Sequence, residues 1–376
     1  MTTGKLLVSC GVSLLCRAAL SPLKLLPIRK KRVLFVSFRG KQYSCNPRAV
    51  SEALEGSQAE IVWAFHQPEK FAFLRQRGIR VISDRGLRFV LTALTARVVC
   101  TNTYYKPFLP RRRGQFFLRT WHGGGAYKRV DYPGGLRGFY IRLQQQGASV
   151  YLSSSAAFTW LVLRESFGYH GEVLEAGLPR NDLLLSPQRD EIGDRVRREL
   201  VPEGKHIALF APTYRETGKV PAPDMERLKQ ALSARFGGEW IVLGRGHHVT
   251  ASEKERTACD LDVTDYPDMQ PLLCAADVLV TDYSSSIWDM SLTGKPVFLF
   301  CPDLKAYRAE RDFYTDIHTW PFPLAETDEA LENNIHTFDA SAYARDIARH
   351  HETLGSTETG HASRLAAERI CKAIGN

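Results

Sequence analysis

From residue 32 onward, short apolar runs alternate with longer segments of helical character, and that alternation leaves few folds open. "RVLFVSF", "AEIVWAF", "RVIS", "RVVCT" and "QFFLRTW" read as buried strands, with helical "PRAVSEALEG" and "GLRFVLTALTA" between the early ones. Runs that are apolar along their whole length belong to sheets covered on both faces, as parallel sheets with helical crossovers are. "ASVYLSS", a helix near "AAFTWLVLRESFG" and "EVLEAG" complete a first unit. The charged stretch "SPQRDEIGDRVRREL" reads as a joint near residues 183–200, after which "HIALFAPTY", "EWIVLGRG", "ADVLVTDY" and "PVFLF" resume the pattern. The expected architecture is an α/β protein of two Rossmann-like domains facing each other across a cleft. We place a basic amino-terminal segment at 1–31, the first domain at 32–185, the second at 186–360, and a final helix of unknown docking at 361–376.

The net charge of +9 is not spread evenly. No Asp or Glu precedes Glu52, while residues 1–51 carry ten Lys and Arg. Residues 1–150 hold 26 basic and 6 acidic side chains, and residues 151–376 hold 24 and 35. A protein basic throughout would suit nucleic acid; this one suits a first half that meets an anionic surface, and no nucleic-acid partner is expected. Eight cysteines show neither CxxC nor regular spacing, so neither a disulfide framework nor a zinc site is suggested, and the compartment reads as reducing.

The stretch "GKLLVSCGVSLLCRAALSPLKLLPIRKKR" opens the chain. Its longest uncharged apolar run, Leu6 to Cys16, is too short to span a bilayer, which needs about twenty residues. Ser9, Ser13, Arg17 and Lys24 fall on one side of a helix, Leu6, Leu7, Leu14, Leu15 and Leu20 elsewhere, and Ser21-Pro22 reads as a break. With Arg29, Lys30, Lys31 and Arg32 behind it, the segment reads as an interfacial amphipathic helix on an anionic membrane surface. A cleaved signal peptide and an ordinary core helix are the alternatives.

In open α/β sheets, ligands collect beyond the carboxyl ends of the strands, and the chemistry-bearing residues fall there repeatedly. "TWHGGG", Thr120 to Gly125, follows one strand, and a glycine run is used where backbone must turn sharply or approach something closely. Thr213 to Arg215 follow "HIALFAP", Arg245 and His247 follow "WIVLG", and "GLPRND" follows "EVLEA". In "VTDYSSSIWD" a strand runs into a helix opened by serines, where free N–H groups and the positive end of the helix dipole form an anion site. Simple capping by Ser284 or Ser285 explains that stretch about equally well.

Together these stretches resemble the family of CDP-glycerol glycerophosphotransferases, the teichoic-acid primases and polymerases. "TWHGGGAYKR", "GLPRND", "PTYR" and "RGH" carry the resemblance, with "DVTDYPDMQPLLCAADVLVTDYSSSIWDM" and "KPVFLFCPDLKAYRAERDFY" as the longest matches. It covers most of the chain from about residue 30. Two departures stand out: Gly124-Gly125 where the family has Thr or Ser and then Pro, and Asp312 where the family tends to have glycine.

The resemblance implies a glycosyltransferase-B-like fold at the cytoplasmic face of the membrane. It implies attack of an acceptor hydroxyl on the phosphorus next to glycerol, with release of CMP. CDP-glycerol is the implied donor, and the implied acceptor is an undecaprenyl-diphosphate-linked glycan or a growing polymer. Such transfer needs alignment and charge stabilisation more than covalent catalysis. His122 is the expected base, with Gly123 leaving room for substrate, and His247 is the expected donor-side catalytic cation, assisted by Arg245. Thr281, Ser284 and Ser285 are expected to hold the diphosphate, with Asp282 positioning the turn. Arg215, Arg308 and Arg311 are expected to neutralise developing charge. Asp303, Tyr307 and Arg311 share a helical face, which an intrahelical ion pair explains equally well. Arg180 and Asp182 are expected to pair across the joint. Asp260, Asp262, Asp265 and Asp268 lack the glycine and closing glutamate of a calcium loop, so they read as loop and cap carboxylates. No cofactor and no required metal are expected. CDP-ribitol as donor, a nucleotide-sugar glycosyltransferase, an epimerase and a binding protein without turnover are the rival readings.

Overall fold

The computed structural model describes residues 3–130, 134–145, 147–213, 215, 220–246 and 259–375. Two parallel sheets organise them. The first takes its strands from β1 (Arg29–Val36), β2 (Glu60–Phe65), β3 (Arg80–Ser83), β4 (Ala96–Thr101), β5 (Phe116–Arg119), β6 (Val150–Ser153) and β7 (Glu172–Glu175). The second takes β8 (Lys205–Phe210), β9 (Glu239–Gly244), β10 (Leu261–Asp262), β11 (Val278–Thr281), β12 (Val297–Phe300) and β13 (Leu324–Ala325). The orders are β3-β2-β1-β4-β5-β6-β7 and β10-β9-β8-β11-β12-β13. Each reverses direction beside its first strand, the switch point where such sheets open a crevice. Every strand expected from an apolar run is present. β10 and β13 were not anticipated, being two residues long and too short to show a pattern.

The central strands are buried on both faces, as unbroken apolar runs require. Val33, Leu34 and Phe35 of β1 are fully buried, as are Leu279 and Val280 of β11. Phe35, Trp63 and Phe65 stack across β1 and β2, with ring centroids 5.3 and 5.4 Å apart. The stretch near 158–166 is helical as expected but wound as a π-helix (Phe158–Ser166), with Phe167 N–H bonding the Val162 carbonyl five residues back.

The charged joint is the first helix of the second unit (Arg189–Leu200) rather than a linker. Val196 is fully buried with Ile192 and Leu200 packed beside it, one apolar stripe at i, i+4, i+8 inside a charged segment. The crossing itself is made by "GLPRND", where Pro179–Leu183 form a single 3-10 turn. Arg180 and Asp182 do not pair. Asp182 accepts from the Ala362 and Ser363 amides (2.9 and 2.7 Å) and so caps the last helix, Ala362–Ile374. That helix returns to the first sheet, where Ala366, Ala367, Ile370 and Ile374 join the core around Val33 and Val98.

At the amino terminus a helix (Thr3–Leu20) continues into a 3-10 turn (Ser21–Leu25). The expectation of too short an apolar run stopped at Cys16. The 23-residue stretch Thr3–Leu25, which contains an 18-residue window of mean hydropathy 1.7, is long and apolar enough to cross a membrane by length and composition. In this structure Leu6, Cys10 and Ser13 face the protein and Arg17 donates to the Pro107 and Leu143 carbonyls (2.7 and 2.9 Å). Leu7, Val8, Val12 and Leu15 point outward, 53–72% exposed. The polar stripe is therefore turned inward and the apolar one toward the surroundings.

Replacing Asp182 by alanine removes the cap of the C-terminal helix. A loss of about 1–2 kcal/mol in urea-unfolding stability is expected; an unchanged midpoint would show that the clamp contributes nothing.

Candidate active site

His122 stands just beyond β5, in the loop Thr120–Gly125. Its Nδ1 lies 2.8 Å from the backbone carbonyl of Asn102, at the end of β4. A carbonyl can only accept, so Nδ1 carries the proton and Nε2 is left as the basic nitrogen. The Trp121 and Phe38 rings flank the imidazole at 4.7 and 5.6 Å. Asn102 is fixed in turn, its side chain accepting from Phe38 N–H (2.9 Å) and donating to Ser37 Oγ (3.2 Å).

The opposite wall is the end of β11. Thr281 is fully buried and its hydroxyl donates to the Ala211 carbonyl (2.6 Å), a bond within the sheet. Asp282 accepts from the Thr213 and Tyr283 amides (2.8 and 2.6 Å) and pairs with Arg215 (2.8 Å), as a residue that positions the turn must. Arg215 also pairs with Asp303 (2.7 Å) and lies 5.0 Å from the centres of both the Tyr283 and Tyr307 rings. Asp303 therefore serves Arg215 across the fold, and the intrahelical pair with Arg311 is not made. Ser284 Oγ accepts from the Ser286 amide and hydroxyl (3.3 and 3.0 Å), while Ser285 makes no side-chain cap of the helix Ser286–Ser291.

The two walls touch. A Cβ on Gly123 would lie 3.5 Å from Ser285, one on Gly124 only 2.3 Å from Trp288 Cδ1, and one on Gly125 2.8 Å from Trp288 Cε3. Gly125 also has φ +75°. Gly124 and Gly125 let the His122 loop lie flat on the serine-led helix and its tryptophan, while Gly123 faces Ser285 at ordinary contact distance. This accounts for Gly124-Gly125 in physical terms: with Trp288 fully buried there, side chains at 124 and 125 have no space.

Arg180 locks the contact. It donates to the His122 carbonyl (2.8 Å) and pairs with Asp289 (2.8 Å), both side chains being at most 8% exposed. Beside it Glu358 accepts from Trp288 Nε1 (2.8 Å), Asn181 Nδ2 (3.0 Å) and the Leu178 amide (3.0 Å). Burial pushes the Glu358 carboxyl up to about 7 against the pull of those donors.

His247 lies outside the described residues. Arg245 donates to the Val263 and Tyr266 carbonyls (3.3 and 3.0 Å). Arg308 and Arg311 are exposed beyond the Tyr307 ring. Asp260 holds the Val242 amide and Lys229, Asp262 the Thr264 amide, and Asp268 caps a helix while accepting from Cys45 N–H. Asp312 is no backbone outlier; its carbonyl accepts from Arg129 N–H (2.8 Å).

Lys128 was missed, although it stands in "TWHGGGAYKR". An antiparallel bridge to Phe313 brings it under the second wall. Burial lowers its ammonium to about 8, with Asp282 pulling it up and Arg311 and Arg215 pushing it down. Lys128 thus feels the charges of Asp282, Arg215 and Arg311, of which Arg215 pairs with Asp282 directly.

The family described as CDP-Glycerol:Poly(glycerophosphate) glycerophosphotransferase matches residues 20–375. A teichoic acid poly(glycerol phosphate) polymerase of Bacillus spizizenii is 29% identical, the alignment covering 92% of this chain and 93% of that protein. A teichoic acid glycerol-phosphate transferase of Staphylococcus aureus is also 29% identical, with 92% and 93% covered. The solved structure of the wall teichoic acid polymerase TagF superposes with a TM-score of 0.80 at 23% identity, over 100% of this chain and 99% of that one. It shows the same fold.

If the glycines serve close approach, Gly124→Ala should destabilise the protein by about 1–3 kcal/mol and suppress turnover. Shrinking Trp288 to leucine in the same chain should recover part of the loss in a double-mutant cycle. Strict additivity would show that the two positions do not meet.

Proposed function

This chain belongs to the CDP-glycerol:poly(glycerophosphate) glycerophosphotransferase family, and we propose that it transfers glycerol phosphate from CDP-glycerol to a hydroxyl of a lipid-linked glycan or poly(glycerol phosphate) acceptor, releasing CMP. The product is a teichoic acid or a related cell-surface polymer. The observation that carries the reading is His122: a tautomer set by the Asn102 carbonyl, in a loop seated on the serine-led helix of the other lobe.

In the reaction, the acceptor hydroxyl attacks the phosphorus that bears glycerol and the P–O bond to CMP breaks. His122 Nε2 takes the hydroxyl proton as the new phosphodiester forms, and CMP leaves with the bonding electron pair. The imidazolium so formed is steadied through Nδ1–H by the Asn102 carbonyl. Ser284, Ser285 and the helix end receive the donor diphosphate, next to Gly123. Lys128, Arg215 and Arg311 are the cations that offset charge on the transferring group in this reading. Thr281 and Asp282 shape the turn that presents these groups. His247 remains the proposed donor-side cation, with Arg308 at the rim. Arg245 supports that region through the loop it bonds.

The enzyme works at the cytoplasmic face of the cell membrane as a peripheral protein. The outward apolar stripe of the first helix and the exposed cations Arg29, Lys30 and Lys31 support this placement, while Arg32, the fourth of that basic run, is buried against Glu60.

His122→Ala should lower CMP release by roughly 10²–10⁴-fold while CDP-glycerol still binds. A variant of near wild-type rate would remove His122 from the chemistry. Parallel assays with CDP-ribitol and UDP-sugars read out the rival donors by their products. Val8→Asp combined with Leu15→Asp should leave the fold intact and release the protein from sedimenting membranes; unaltered sedimentation would refute the attachment.

A further inference from the structure

The carboxyl ends of β1, β2 and β3 and the segment after β4 converge on a second polar cluster, which proton transfer and donor binding leave unused. Phe38 and Arg39, directly after β1, both have positive φ (42° and 58°), uncommon for residues with a side chain. That kink sets the Phe38 ring edge-on to His122 at 5.6 Å and the Arg39 guanidinium 5.8 Å from the centre of the Tyr104 ring. Tyr104 lies 6.0 Å from Trp121, and Trp121 lies 4.7 Å from His122. Arg39 is thus joined to the base by an unbroken row of rings.

On the other side of the kink, the Gly40 carbonyl accepts from His66 N–H (2.7 Å). Beneath lies Asp84, its side chain fully buried. Its Oδ2 is 2.9 Å from His66 Nδ1 and 2.7 Å from Lys106 Nζ. Arg85 bonds the other ring nitrogen of His66. Burial opposes the Asp84 charge, but Lys106 and His66 hold its carboxyl below the usual range. One buried carboxylate therefore orients cationic and hydrogen-bonding side chains that reach the surface: His66 is 40%, Lys106 25% and Arg85 69% exposed. Arg39 is exposed as well. Every member stands after a strand of the first sheet, β1 to β4.

We propose that Arg39, His66, Arg85 and Lys106 form a binding site for a phosphate group of the acceptor, one position behind the hydroxyl that attacks. The inference rests on the glycerophosphotransferase reading and deepens it. Guanidinium and ammonium groups held by a buried carboxylate suit a tetrahedral anion, and the Tyr104–Trp121 surface leads from it to the base. Two acceptors carry such a phosphate: the phosphodiesters of a growing polymer and the diphosphate of a lipid-linked primer.

The test uses the full chain, with CMP release from CDP-glycerol followed on two acceptors. One is soluble oligo(glycerol phosphate), the other a disaccharide-diphosphate lipid in vesicles. Arg39→Gln combined with Arg85→Gln alters two exposed side chains and keeps Lys106 on Asp84. For the acceptor that uses the site, KM should rise about tenfold, as two lost charge contacts of up to about 1 kcal/mol each allow. The kcat and the KM for CDP-glycerol should stay unchanged, and the acceptor KM should depend less on salt than in wild type. Arg39→Lys with Arg85→Lys should recover part of the affinity. The acceptor whose KM moves identifies the phosphate source; unmoved KM values for both overturn the site. Should wild type release no CMP with either acceptor, the transfer reading fails separately. The site is then decided by calorimetric binding of oligo(glycerol phosphate), where equal affinity of wild type and the glutamine variant overturns it.

Discussion

The structure turns on one guanidinium. Arg180 comes from the turn where the chain passes from the first sheet to the second, and it holds the His122 carbonyl with one nitrogen and Asp289 with another. A charge buried this deeply is tolerable only when paired and hydrogen-bonded, and removing one partner of such a pair typically costs about 3–5 kcal/mol. The consequence is geometric more than energetic. Asp289 sits on the helix that begins with the serines, so the same residue that fixes the imidazole loop also fixes the helix end facing it. Cys45 N–H on Asp268 and Lys128 bridged to Phe313 repeat the tie at other points of the same face.

Backbone strain is concentrated around this junction. The non-glycine residues with positive φ among the described residues are Phe38, Arg39, Cys45, Trp121 and Ala126. All lie on loops after β1 or β5, and such conformations cost of order 1–3 kcal/mol each and persist where surrounding contacts over-determine them. Here those contacts are visible. Phe38 N–H is held by Asn102, Cys45 N–H by Asp268, and the Trp121 carbonyl by Asn46. The strain places side chains where a relaxed turn would not: a ring on each side of His122 and a cation over Tyr104.

Much of the fold was legible because parallel strands buried on both faces print as unbroken apolar runs. Where that signal was diluted the reading failed. β10 and β13 are two residues long, and the helix Arg189–Leu200 hides a three-residue apolar stripe among charges. Of the site, the parts carried by local motifs were legible: the histidine with its glycines, and Asp282 shaping its own turn. The parts that depend on partners distant in sequence were not. Asp182 was matched with the nearest cation, whereas its partners are amides 180 and 181 positions away. The reason for Gly124 and Gly125 is chiefly an indole more than 160 positions downstream, which no pattern within the loop can announce. Arg245 adds a second kind of distant partner: the Val263 and Tyr266 carbonyls that accept from it lie 18 and 21 positions away.

The uneven charge of the chain acquires a meaning once its cations are placed. Arg29 to Arg32 open β1 at one end of the first sheet, next to the helix with its apolar stripe outward. At the other end, Arg85 bonds His66, Lys106 bonds the Asp84 that His66 shares, Arg39 lies over Tyr104, and Lys128 follows the His122 loop to its bridge with Phe313. A soluble enzyme acting on a neutral acceptor needs positive charge only beside its donor diphosphate. This chain carries it from the start of β1, past His122, to Lys128 and Arg215. Under the proposed transfer such an arrangement would concentrate an anionic acceptor along one lobe and leave the other lobe, with its acidic excess, to hold the donor through a helix end and a few paired cations. On that reading the division of labour between the lobes is written in their charge as well as in their motifs.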